Sequence, residues 1–193
     1  MQKTIKNLAA AFIGESQARN RYTIYASIAK KEGYEQICEI FEQTANQEAE
    51  HAKWLMRLIN ELKDKGADAT DLKVEAEIPS VVGTTAENLE SAANGENHEY
   101  SEMYPGFSKI AREEGLGAIA DRLMFIARAE RHHEERYKKL LANIKTSAVF
   151  KKGMEMSWVC RKCGYEHNGV DAPKECPACG HPQAYYQIKS EEY

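Results

Sequence analysis

Two residue pairs in this chain repeat a spacing that suits metal chemistry. Glu48-x-x-His51 recurs as Glu130-x-x-His133, displaced by 82 positions. On a helix this spacing puts a carboxylate and an imidazole on one face. Gly14-Glu15 recurs as Gly95-Glu96, displaced by 81, and Glu99 follows Glu96 by one turn. Two such Glu/His pairs plus a Glu from each of two further helices form the pattern with which helical bundles hold two iron or manganese ions. Hard carboxylate oxygens neutralise and bridge the cations, and imidazole suits iron. The candidate ligands are Glu15, Glu48, His51, Glu96, Glu99, Glu130 and His133. A lone Glu-x-x-His is commonly a solvated helix face. Two copies at one displacement, each partnered by a Gly-Glu, are not readily a coincidence. Five inward glutamates without metal would be opposed by desolvation and mutual repulsion.

A second chemistry lies near the C-terminus. Cys160-x-x-Cys163 and Cys176-x-x-Cys179 have the spacing of a tetrahedral four-sulfur site for iron or zinc. Each pair is followed by Gly, which lets the backbone turn tightly around the sulfurs. The fifth cysteine, Cys38, sits among apolar residues and reads as a buried, inert thiol.

The elements that must position these groups are helices up to about Lys145. Leu8, Ala11, Glu15, Ala18 and Tyr22 fall at three- and four-residue steps, and no proline occurs before Pro79. Gly33, Gly66 and Gly115 read as helix stops, and Thr84 to Glu87 as a capping box opening the third helix. Folding back at Gly33 brings Glu15 and Glu48 within roughly 5 Å of one level, and Gly115 does the same for Glu96 and Glu130. The displacement changes from 81 to 82 between Glu96 and Ile110, so the third helix carries one extra residue, expected as a π-bulge near Pro105. Residues 66–83 would reach about 55–60 Å if extended. That suits a ferritin-like bundle with one long crossover rather than an up-down-up-down one. The expected division is a bundle over 1–145, a linker over 146–156 and a small metal-binding domain of strands and knuckles over 157–193. Tyr22 and Tyr104 fall near the carboxylate layer, where a phenol either packs in the core or donates a hydrogen bond to a ligand. Glu50, Glu102, His132, Glu134 and Glu135 read as surface charges, and His98 has no assigned role.

Composition sets the outer limits. The chain has 193 residues, with Lys+Arg 26 against Asp+Glu 30 for a formal charge of −4. A mildly acidic chain without a basic cluster is a poor match to nucleic acid or an anionic membrane. No apolar run approaches the ~20 residues of a membrane span. Leu8 to Ile13 lacks a basic flank and a cleavage site, so no signal peptide is expected.

With these residues in view, the chain resembles the rubrerythrins over essentially its whole length. The resemblance rests on Gly14-Glu15-Ser16, Glu48-x-x-His51, Gly95-Glu96-x-x-Glu99, Met103-Tyr104-Pro105-Gly106-Phe107, Glu130-x-x-His133, Cys160-x-x-Cys163-Gly164-Tyr165 and Cys176-Pro177-Ala178-Cys179-Gly180-His181-Pro182. It implies a mainly α chain, a ferritin-like di-iron bundle followed by a rubredoxin-like domain. It further implies a cytoplasmic non-haem peroxidase that reduces hydrogen peroxide to water. Electrons would come through an Fe(Cys)4 centre from an external donor, such as rubredoxin or an NAD(P)H-dependent reductase. In the family, one iron exchanges a third-helix carboxylate, here Glu99, for a second-helix histidine, here His51. Tyr22 and Tyr104 match hydrogen-bonding tyrosines, and head-to-tail homodimers are common. The alternative is an iron-handling ferroxidase with a structural zinc ribbon.

Overall fold

In the computed structural model, which describes residues 1–70 and 72–191, the chain forms a four-helix bundle and a small three-stranded sheet. Asp71 in the crossover and residues 192–193 at the end of the second domain lie outside the described residues. Helix α1 (Gln2–Lys31) turns through Gly33 into α2 (Glu35–Asp64). Gly33 has φ 82°, and the Tyr34 N–H returns to Ala29 O at 2.9 Å, closing α1 with a left-handed cap. Gly66 and Gly115 end α2 and the third helix in the same way, with φ 91° and 76°.

The third helix is broken into α3 (Thr85–His98), a π-helical turn (Glu99–Met103) and α4 (Tyr104–Glu113). The turn falls within the stretch where the repeat gains its extra residue. Pro105 follows directly, in the first turn of α4, and brings no N–H to the backbone ladder there. Helix α5 (Gly117–Lys145) completes the bundle. The capping box at Thr84 forms, with Glu87 reaching back to the Thr84 N–H at 2.8 Å.

Helix ends fix the topology. Gln2 donates to Asp68 O at 2.8 Å, so the crossover begins beside the start of α1. The Thr85 N–H donates to Glu32 at 3.1 Å, so it ends beside the finish of α1, a helix length of about 45 Å away. On the way, Tyr25 donates to Val81 O at 2.8 Å. Glu114 supplies the matching contact at the other end, accepting from the Lys3 and Thr4 N–H groups and from Thr4 Oγ1 at 3.1, 2.9 and 2.7 Å. Each hairpin thus lends a glutamate from its turn to cap the other hairpin's first helix.

Two apolar clusters fill the bundle, one on each side of the carboxylate layer. One centres on Ile5, Leu8, Leu55, Leu62 and Leu123, and the other on Tyr22, Tyr25, Phe41, Leu89 and Tyr137. The sheet has the order β2-β1-β3, all antiparallel, from β1 (Lys151–Cys160), β2 (Glu166–Asp171) and β3 (Tyr186–Ile188). Strand β1 begins inside residues 146–156, so half of that stretch is sheet. Its Trp158 is fully buried and donates to Gly169 O at 2.9 Å. The sheet domain sits against the α1–α2 turn. There Tyr34 stacks on Phe150 with ring centroids 6.3 Å apart, and Arg161 pairs with Glu39.

Candidate metal centres

Each helix delivers its part of the carboxylate layer by its own periodicity. Glu15 projects from α1, Glu48 and His51 from α2, Glu96 from α3, and Glu130 and His133 from α5. Glu15, Glu48, Glu96 and Glu130 are all at most 1% exposed. His51 Nδ1 lies 2.8 Å from Glu130 Oε1, 3.0 Å from Glu48 Oε2 and 3.6 Å from Glu15 Oε2. His133 Nδ1 lies 2.8 Å from Glu130 Oε2, 3.2 Å from Glu48 Oε1 and 3.5 Å from Glu96 Oε2. Glu48 and Glu130 therefore each turn one oxygen to each histidine. The residues divide into two groups, Glu15/Glu48/His51/Glu130 and Glu48/Glu96/Glu130/His133, with donor atoms within 4.8 Å of one another. This is the arrangement of two bridging and two terminal carboxylates.

The donor atoms fit a pair of cations. Glu15 Oε2, Glu48 Oε1, Glu96 Oε2, both Glu130 oxygens and His133 Nδ1 are buried without an aligned hydrogen-bond partner. They approach one another closely, yet in directions that suit a shared ion rather than a shared proton. The electrostatics agree. Burial, reinforced by the Glu48 charge, pushes the Glu96 carboxyl up to about 8. Burial and then Glu130 raise Glu15 well above the carboxylate range. Burial works against the charged form of His133, but Glu130 and Glu48 override it and push the imidazole up to about 12. An unmetallated chain must hold protons here that metal ions would displace.

Two tyrosines complete the layer. The Tyr22 hydroxyl donates to Glu96 Oε1, and the Tyr104 hydroxyl to Glu15 Oε1. Burial, followed by the carboxylate each faces, raises both phenols, so they remain protonated donors. Of the two roles open to them in the sequence, both are filled at once. Tyr22 also packs on Phe41 and Tyr137, with ring centroids 6.0 and 5.5 Å apart.

Of the seven candidate residues, six come together and Glu99 stands apart from both groups. It is the first residue of the π turn, 9% exposed, and raised in pKa by burial and then by Glu15. One expected surface charge is not at the surface. Glu134 is 4% exposed, accepts from Asn97 Nδ2 at 2.9 Å and pairs with Lys138 at 2.5 Å. It follows His133 on α5 and faces α3, so its charge is covered by an amide and an ammonium rather than by water. His98 is exposed beside Glu102, and Cys38 is buried, its Sγ 3.9 Å from Glu42.

In the second domain the four cysteines form one group. Cys160 Sγ lies 3.8 Å from Cys179 Sγ, and Cys163 Sγ 3.7 Å from Cys176 Sγ. Metal–sulfur bonds of ~2.3 Å give a tetrahedron with edges of about 3.8 Å, so the cage is already of that size. Gly164 and Gly180 take φ 79° and 68° and donate back to Cys160 O and Cys176 O at 2.8 Å. These are the two knuckles that the Gly after each cysteine pair permits.

Comparison with known proteins bears on both centres. The family model described as Rubrerythrin matches residues 6–141, and that described as Rubrerythrin, rubredoxin-like domain matches residues 158–187. The chain belongs to the rubrerythrin family. A putative rubrerythrin of Methanocaldococcus jannaschii is 56% identical over 100% of this chain and 96% of its own length. The rubrerythrin of Nitratidesulfovibrio vulgaris is 46% identical over 96% of this chain and 94% of its own. Among solved structures, fully reduced, all-ferrous nigerythrin is 34% identical with a TM-score of 0.63, covering 96% of this chain and 86% of that one. As in the rubrerythrin family, this chain joins a di-iron carboxylate site on a ferritin-like bundle to a four-cysteine site.

Proposed function

We propose that this rubrerythrin is a peroxidase that reduces hydrogen peroxide to two waters, consuming two electrons and two protons. The observation that carries this reading is the fusion of a shared-carboxylate pair of sites to a four-cysteine cage in one chain. Two ferrous ions in the first would supply both electrons, and one iron in the second would return them singly. A storage protein has no use for such a relay.

The chain's own residues do the rest. Glu48 and Glu130 hold the two positions at a fixed separation, while Glu15 and Glu96 cap them from opposite sides. Tyr22 and Tyr104 pin those two caps through their hydroxyl hydrogens. His51 is engaged with Glu15, Glu48 and Glu130, and Glu99 stands free, the arrangement the family resemblance associates with the reduced site. Glu99 lies at the edge of the reaction space, and burial followed by Glu15 raises its carboxyl above the usual carboxylate range.

The partners we assign are hydrogen peroxide, an external donor such as rubredoxin or an NAD(P)H-dependent reductase, and a second copy of the chain. Arg161, beside Cys160 of the cysteine cage, pairs with Glu39 near the start of α2, and Glu48 lies roughly 14 Å further along that helix. A head-to-tail dimer would place a partner's cage nearer to each carboxylate site, which favours that assembly. We place the protein in the cytoplasm, without a membrane or nucleic-acid partner. No helix among the described residues is long and apolar enough to cross a membrane.

Anaerobic stopped-flow spectroscopy of the reduced, iron-loaded protein tests the reading. The expected result is rapid oxidation of both iron chromophores by peroxide without oxygen release. Colourless protein with zinc in the cysteine cage as isolated from its native cells, or oxygen evolution without any donor, would overturn it.

A further inference from the structure

Gly14 and Gly95 interrupt the interiors of α1 and α3, and neither is needed for its backbone. Both lie within helices, and neither takes the positive φ of Gly33, Gly66 or Gly115. In a helix interior each costs roughly 0.5–1 kcal/mol relative to alanine. Close packing does not demand them either. A Cβ at Gly14 would lie 3.9 Å from Glu99 Oε1, and one at Gly95 3.7 Å from Arg21 Nη2, both ordinary contacts.

What the two glycines share is a groove. It runs between α1 and the α3–π-turn–α4 helix, beneath residues 74–77 and Pro79 of the crossover, and encloses about 670 Å³. Glu99 lines it, nine-tenths buried and without a hydrogen-bond partner among the described residues. Of the five carboxylates in the layer it is the most exposed, so the groove is where the carboxylates come nearest to the outside, on a different face from the 16% exposed His51. Arg21 and Gln17 also line the groove, and the buried Arg21 Nε has no partner. The passage is lined largely by apolar groups such as Ala10, Val74, Met103 and Phe107 and ends on the Glu99 carboxyl, and its walls lack side chains at the two positions directly before Glu15 and Glu96.

We infer that this groove is the entry path to the carboxylate site, and that Gly14 and Gly95 hold it open for small, unhindered hydroperoxides while excluding bulky ones. The inference rests on the peroxidase reading for the identity of the substrate. Two missing side chains, one on each wall, set the width of the passage. A methyl group on each would narrow its inner end without disturbing the helices, and an isobutyl group on either would obstruct that end beside Glu99.

The experiment uses the iron-loaded full chain with Gly14→Leu, Gly95→Leu and the double variant Gly14→Ala/Gly95→Ala. Azide association, followed optically, reports entry without turnover. Oxidation of the pre-reduced protein by hydrogen peroxide and by cumene hydroperoxide reports the substrate. The thermal midpoint of the metal-free protein reports packing. Each leucine variant is expected to slow azide and hydrogen peroxide at least ~10-fold at unchanged iron content. The alanine double variant is expected to keep or raise the midpoint and to increase discrimination against cumene hydroperoxide. Unchanged rates in both leucine variants at full iron content would overturn the inference. So would a lowered midpoint in the alanine variant, which would make the glycines a packing requirement. If a leucine variant fails to hold iron, the alanine variant decides: slower azide entry supports the path, and an unchanged rate overturns it. Failure of the peroxidase reading looks different, because wild-type protein would then not consume peroxide while azide entry still responded to the leucines.

Discussion

Tyr104 donates its hydroxyl hydrogen to Glu15 across 89 residues of chain. Its counterpart in the other repeat, Tyr22, does the same for Glu96 across 74. Each hairpin thus holds the other's terminal carboxylate in place. Tyr22→Phe and Tyr104→Phe are expected to act alike. Each leaves a buried carboxylate one donor short, a cost of about 1–3 kcal/mol. Iron content should stay at two per bundle while peroxide oxidation slows about tenfold, the signature of a positioning defect. Stopped-flow rates beside iron analysis check this, and equal rates in wild type and both variants would remove the tyrosines from the site.

Removing the metal should loosen the bundle more than the sheet domain's size would suggest. Five carboxylates in the layer then rely on two imidazolium groups and on protons for neutralisation. At metal concentrations near a thousand times Kd, binding contributes about 4 kcal/mol, or roughly 10 °C in Tm for a chain of this size. Calorimetry of loaded and chelator-treated protein measures the difference, and coincident transitions would show that the carboxylate layer does not need its ions.

Cys160→Ser should separate the two centres. Cys160 is 1% exposed and closes one edge of the sulfur cage, so a serine there spoils the relay without touching the bundle. Steady-state peroxide turnover should disappear, while a single oxidation of pre-reduced protein proceeds at the wild-type rate. Loss of the single turnover as well would contradict the relay.

Glu114 should stabilise the fold in a pH-dependent way. Although burial opposes its ionisation, the Thr4 hydroxyl and N–H, the N-terminal ammonium and the Lys3 N–H together hold its carboxyl at about 2. A group whose folded pKa is depressed adds stability above its unfolded value of ~4.3, and that contribution fades as pH falls through the folded one. Glu114→Gln should therefore cost about 1–2 kcal/mol at neutral pH, discounted for the partial exposure of the carboxylate. The wild-type advantage should shrink between pH 4.5 and pH 2. A gap that stays constant down to pH 2 in denaturant titrations would show that the charge is not the cause.

The repeat displacement was the most informative signal in the sequence, because a duplicated hairpin obliges matching residues to meet. It located six residues of the carboxylate layer, the π turn and the two tyrosines. It did not reveal that Glu99 stands outside both groups, since that depends on how the π turn aims one side chain. Spacing alone marks Glu134 as a surface charge, because it cannot show that Asn97 and Lys138 cover the carboxylate. The exchanged caps of Glu32 and Glu114 are a further feature that helix periodicity alone does not show. Their signal was present, as both glutamates directly precede a helix-ending glycine and are displaced by 82, just as Thr4 and Thr85 are displaced by 81. The early start of strand β1 is not legible in residues 151–156, whose alternation is weak and whose strand conformation comes from pairing with β2.

The π turn carries a further consequence. Residues 15 and 96 correspond at a displacement of 81, and residues 22 and 104 at 82, so the insertion falls between them. Glu99 corresponds to Ala18 in the first hairpin, which offers no carboxylate. A scaffold built from two nearly identical halves therefore surrounds two chemically unequal positions, one with a fifth carboxylate within reach and one without. Two ions placed there would meet unequal sets of neighbouring carboxylates, so the near-twofold symmetry of the scaffold would not extend to its chemistry.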